Sequence, residues 1–256
     1  MDFDGFQHEL WDEHKWEHHL DEVEKKSDQL RRFISSDPKG TIPRWITLLK
    51  ESKNEDDAFD AYVEEELLLD EAYFPEEDDD WEEEDDFDDE DFLFSNQDQF
   101  DDLEESEDFD SGEEWKSLSA DFALSEYGSL DNLLIYNRAK DLAVDVLKWA
   151  ETVSQKSQNT SFQEFVGETL KIGAKLAGGY SFGFEIDYLG ANIAYTKKAL
   201  KSCNLSLALL QSQKSEDFFS TNKNIYDDYH VRIFEIRNDI GIYVQELRDR
   251  FYNQMD

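Results

Sequence analysis

Residues 55–114 hold 33 Asp and Glu and not one Lys or Arg, and a stretch so charged cannot build a core from its own side chains. Its like charges repel, it has few aliphatic residues to bury, and the entropy of ordering it goes uncompensated. The prediction is an acidic arm over residues 54–127, largely disordered in isolation, with residues 63–73 and their Leu67, Leu68 and Leu69 as its most helix-prone part. The excess charge is confined to one half. Residues 1–127 carry 47 acidic and 10 basic side chains, whereas residues 128–256 carry 17 and 15. A chain adapted to high salt would acidify every surface, so this segregation gives the acidic segment a task of its own.

The arm is punctuated by aromatic residues, among them Tyr62, Tyr73, Phe74, Trp81, Phe87, Phe92, Phe94, Phe100, Phe109 and Trp115. Alternation of acid and aromatic belongs to segments that order on a partner: carboxylates supply long-range attraction and rings supply apolar anchors. Trp81, Phe87, Phe92 and Phe94, with Asp85 and Asp88 beside them, are the candidate partner-binding residues.

Residues 1–53 form a separate N-terminal helical segment in this reading. Apolar residues Phe6, Leu10, Trp11, Leu20, Val23, Leu30, Phe33 and Ile34 make a thin helical stripe, so the helix has to lean on something else. Asp37-Pro38-Lys39-Gly40 ends it, and a second short helix follows over residues 43–50.

After Gly128 the periodicity strengthens. Four stripes with three- and four-residue steps run through Ile135–Val153, Phe162–Tyr180, Ile186–Leu210 and Ile225–Phe251, separated by short polar or Gly-containing breaks. The fold class expected is all-α: an antiparallel up-down four-helix bundle over residues 128–256, preceded by the helical segment and the arm.

The stretch Leu176-Ala177-Gly178-Gly179, followed by Phe184-Glu185 at the start of the third helix, resembles a helix–turn–helix feature of one family. That family is the four-helix-bundle proteins encoded in ribosomal RNA intervening sequences, which includes the accessory variability determinant of diversity-generating retroelements. Leu176-Ala177-Gly178-Gly179 stands where the family has an Ile-Ala-Glu-Gly end to helix two. The small residues Ala194, Ala199, Ser202 and Ser206 match its small-residue third helix. The resemblance covers about residues 130–252. It implies a scaffold without catalysis, self-assembly into rings, and basic surfaces that engage RNA and a reverse transcriptase. Here the corresponding region is nearly neutral, and the acidic half has no counterpart in the simple family members.

Candidate chemistry is sparse. His14 and His18 lie four apart on one helical face, a spacing that can hold a divalent metal, but with no third ligand a hydrated polar face is the preferred reading, and no metal or cofactor is expected. Arg237-Asn238 would suit a helical ribonuclease only with a histidine five residues after the arginine, where Ile242 stands. No catalytic residue is assigned, and the chain is expected not to be an enzyme. Gly178-Gly179 and Gly183 follow no strand and are read as helix-capping and turn residues. Lys171 and Lys175, and Lys197, Lys198 and Lys201, form basic strips to which Arg232, Arg237, Arg248 and Arg250 can add: either a solvated face or a surface for nucleic acid or an acidic partner.

Lone Cys203 rules out an intramolecular disulfide, and no run approaches the ~18 apolar residues of a membrane span. With no secretion-type start at Met1, the expectation is a cytoplasmic protein without membrane contact. The leading functional expectation is an accessory or adaptor protein whose helical half assembles with itself or a partner. Its arm docks on a basic protein surface, such as that of a nucleic-acid-binding protein, by mimicking nucleic acid, or else folds back onto the chain's own lysines and restrains nucleic-acid binding. The alternative is an RNA- or DNA-binding scaffold serving a reverse transcriptase or a similar system.

Overall fold

A computed structural model describes residues 10–34, 42–71, 128–154, 158–220 and 223–255. Every regular element among these residues is helical, with no strand among them. In chain order they form α1 (Glu13–Ile34), α2 (Arg44–Glu51), α3 (Glu55–Glu71), a 3-10 turn (Leu130–Asn132), α4 (Leu134–Thr152), α5 (Thr160–Ser181), α6 (Ile186–Ser212), the short α7 (Asp217–Ser220) and α8 (Lys223–Met255). Among the described residues no helix is long and apolar enough to cross a membrane.

Contacts run from α4 to α5, α5 to α6, α6 to α8 and back to α4, closing a ring around the main core. The four stripes expected from the sequence supply most of that core. On α8 the buried set is Tyr226, Tyr229, Ile233, Ile236, Ile240, Val244, Leu247 and Phe251, stepping by three and four along 33 residues. That helix is roughly 50 Å long at ~1.5 Å per residue. At one end Trp149 of α4 stacks on Phe219 at 4.8 Å and meets Phe162 and Tyr229 edge-on or tilted, so aromatic packing closes the core there.

Local signals fix the boundaries. Asn159 caps α5, its side-chain oxygen accepting from the Phe162 N–H at 2.8 Å. The turn between α5 and α6 depends on Gly183, whose φ of +81° is costly for any other residue. Asn192 secures that turn by donating from Nδ2 to the Gly183 carbonyl at 2.9 Å. Gly178 and Gly179, in contrast, do not cap anything. They lie inside α5, where a Cβ on Gly178 would come within 2.8 Å of Tyr195 and one on Gly179 within 3.1 Å of the Asn192 carbonyl oxygen. Their role is close helix approach, which corrects the capping assignment.

The boundary drawn at residue 54 is also corrected. Residues 55–71 of the acidic stretch are α3, and its Ala58, Phe59, Tyr62, Val63 and Leu67 are buried in the same core as α4 and α5. The entropy argument fails for this piece because α5 offers Phe59, Tyr62, Val63 and Leu67 a seat, and the one acid buried with them, Glu66, is met there by Lys175. Gly173 is part of the seat: a Cβ there would lie 2.5 Å from the tip of Phe59. Helix α2 adds Trp45 and Leu48 and pairs with α3 through Arg44, whose Nε donates to Glu65 at 2.8 Å.

Helix α1 lies mainly on α6 and also touches α3. This second covering explains why Leu189 to Thr196 of α6 are buried on every side.

Candidate interaction surface

Of the basic residues singled out in the sequence, Lys171, Lys175, Lys197 and Lys198 converge where α1 and α3 cover α5 and α6. Lys197 reaches Glu13 at 3.2 Å and Glu17 at 2.5 Å. Lys198 donates to Asp21 at 2.7 Å and to Glu24 at 2.8 Å. Lys175 lies 3.4 Å from Glu66 of α3, both side chains only 5% exposed, with its ammonium over the Tyr195 ring at 5.3 Å. Lys171 pairs within its own helix with Glu168 at 3.1 Å. Arg248 of α8 joins them, its guanidinium donating through Nε and Nη2 to the two oxygens of Glu13 at 2.7 and 2.6 Å. Such a two-pronged pairing fits the planar fork of an arginine.

The electrostatics follow from this crowding. Arg248 holds the Glu13 carboxyl below its ordinary range against the opposing effect of burial, and Lys197 helps. For Glu24, burial alone would favour the neutral form. Its bond from Lys198 and the charges of Lys198, Lys175 and Lys171 overcome that effect and bring it down to about 2. Burial would likewise discharge Lys171, yet Glu168, Glu66 and Glu24 keep its ammonium form favoured.

Lys201 and Arg237 do not join the cluster. Lys201 is exposed on α6. Arg237 reaches across to α6, its Nε donating to Asn204 at 2.7 Å, and lies over the ring of Phe234. The candidate arm residues Trp81, Asp85, Phe87, Asp88, Phe92 and Phe94 lie outside the described residues. His14 and His18 point outward, nearest Glu17 at 3.4 Å and Glu22 at 4.0 Å. Among the described residues no group of three or more His, Cys, Asp or Glu side chains could hold a metal ion. Cys203 is buried in the core, and that burial pushes its thiol up to about 12.

The sequence reading omitted Trp16, Glu13 and Glu66 from the site. Trp16 was legible: with Leu20 and Val23 it completes an i, i+4, i+7 stripe, and all three are buried. Glu13 and Glu66 had no comparable signal, since one carboxylate among many is marked only by the cation it meets in the fold. No protein family, no curated protein and no solved structure matches the chain.

Proposed function

We propose that this chain is a non-enzymatic accessory or adaptor protein. In this reading α4, α5, α6 and α8 act as an up-down four-helix bundle scaffold, and the acidic half recognises a basic protein surface, with Trp81, Phe87, Phe92 and Phe94 as apolar anchors. The observation that carries it is the pairing of the chain's own basic strip. Lys171, Lys175, Lys197 and Lys198 each have a carboxylate partner within the chain. These four cations of the surface an RNA-binding scaffold would use are therefore already neutralised, while the chain as a whole keeps a net charge of −39.

Helix α1 also supports the mode of recognition. It seats two apolar residues, Trp16 and Leu20, against α6 while its carboxylates meet Lys197, Lys198 and Arg248. An arm that combines acids with rings can use the same pairing on a partner: charge for steering and register, buried rings for affinity. The resemblance of residues 130–252 to the intervening-sequence family accords with a scaffold role and with homo-oligomers. The near-neutral helical half favours a protein partner over nucleic acid.

A titration of the full chain tests the reading. Labelled RNA and a lysine-rich basic protein are each titrated at increasing salt. Binding to the basic protein should be strong at low salt, weaken as the Debye length falls to ~8 Å near physiological ionic strength, and drop further when Trp81, Phe87, Phe92 and Phe94 become Ser. RNA should bind weakly throughout. Tight RNA binding by the intact chain, or basic-protein binding unmoved by the four Ser replacements, contradicts the proposal.

A further inference from the structure

The seat of α1 differs in kind from the rest of the fold. Trp16, Leu20, Ala191, Ala194 and Tyr195 form an apolar cluster of their own, separate from the main core, with Trp11 and Phe182 packed at its edge. Of the residues leading into α1, Leu10 packs against the main core. The floor of the seat is shaped for a helix. A Cβ on Gly190 would lie 2.5 Å from the Trp11 carbonyl oxygen and 2.9 Å from the Trp16 ring, so only glycine admits this close approach. The rim is cationic, with Lys197, Lys198 and Arg248, and the seated helix answers with Glu13, Glu17, Asp21 and Glu24.

Floor and rim together define the ligand. A polyanion such as RNA would satisfy the rim but leave Tyr195 and Phe182 without apolar cover. An amphipathic helix with an aromatic residue, a leucine four positions on and carboxylates along the edge beside them satisfies both, and α1 is such a helix. Helix α1 connects to α2 through residues 35–41, which include Pro38 and Gly40. The cluster under Trp16 and Leu20 shares no residue with the main core, so these two side chains can leave their seat without opening it, and Leu10 ahead of α1 is the contact with that core that has to be released. Nothing in the seat distinguishes the α1 of one copy from that of another.

We propose that this groove is a helix-exchange site whose trans ligand is α1 of a second copy of the chain. In the reciprocal arrangement Glu13, Trp16 and Leu20 of each copy complete the groove of the other. Every ion pair and apolar contact is kept, and the opposing term is the lost freedom of one copy, which concentration offsets. The site is independent of the arm, so the outcome below does not bear on docking through Trp81 and its neighbours.

Charge reversal tests whether the groove accepts α1 in trans, and label exchange tests whether wild type does so. One full-length variant carries Glu13→Lys, Asp21→Lys and Glu24→Lys; the other carries Lys197→Glu, Lys198→Glu and Arg248→Glu. Each alone repels its own α1 and should run at the monomer mass in light scattering. Each should keep a cooperative melt, because the changes lie at the rim. Mixed in equal amounts, they should form a 1:1 complex of twice that mass, since each groove now matches the other chain's α1. In wild type, donor- and acceptor-labelled copies should show energy transfer that rises with concentration. A mixture that stays at monomer mass, a single variant that loses its cooperative melt, or wild-type copies that never exchange label would each overturn the proposal.

Discussion

Lys175 and Glu66 face each other with almost no access to water, and this is where a single residue has the largest leverage. Taking two charges out of water costs several kcal/mol per ion, recovered only while both are present. Lys175→Met should therefore destabilise the chain by about 3–5 kcal/mol, because it removes the cation that faces the buried Glu66 carboxylate. Adding Glu66→Leu to it should recover most of that loss. Urea denaturation of the single and double variants measures both effects, and additive losses would contradict the pairing. A second prediction concerns acid. Glu13 and Glu24 both sit below their ordinary value of 4.5 in the fold, Glu24 at about 2. Their contribution is complete above about pH 4.5 and is lost as pH falls towards 2. Helix α1 should thus come off its seat in acid. The fluorescence difference between the wild type and Trp16→Phe reports it; release on raising the pH would carry the wrong sign. None of these partners was legible in the sequence. The four-residue spacing of Lys171 and Lys175 puts them on one face of α5, but spacing does not say which element covers that face.

At the scale of the element, glycines in helices separate two roles that look alike in sequence. A Cβ on Gly173 would lie 2.5 Å from Phe59, whereas one on Gly167 or Gly241 would meet nothing within 4 Å. Gly173→Ala should push α3 from its seat and lower stability. Gly167→Ala and Gly241→Ala should each raise it by ~0.5–1 kcal/mol through helix propensity alone. Thermal melts of the three variants check the opposite signs. Phe59, fully buried, carries the α3 contact from the other side, and Phe59→Ala should cost about 3–5 kcal/mol. If α3 were only an arm resting on the surface, that change would cost almost nothing. The four long helices were legible because each repeats its apolar residues over several turns between polar or glycine breaks. Helix α3 was legible only in its second half, at Val63 and Leu67. Phe59 and Tyr62 stand among so many acids that composition masked their burial. The turn at Gly183 was read correctly; Gly178 and Gly179 were not, because a glycine pair near a helix end signals a cap as readily as a close packing contact.

Across the whole molecule, the net charge of −39 is spent in two ways. Helices α1 and α3 use part of the acid to neutralise the basic strip and cover α5 and α6. Residues 128–256 expressed alone should therefore remain helical but melt below the full chain and bind a hydrophobic dye, because the seats of Phe59, Val63, Trp16 and Leu20 are opened. The larger share of the acid lies in residues 72–127, which carry the proposed anchors. Capture of partners by the full chain from a cell extract, with and without nuclease, beside the form with Trp81, Phe87, Phe92 and Phe94 replaced by Ser, tests that proposal most directly. The account predicts a basic protein that co-purifies regardless of nuclease and is lost with the four rings. Capture abolished by nuclease, or undiminished without the rings, would contradict it.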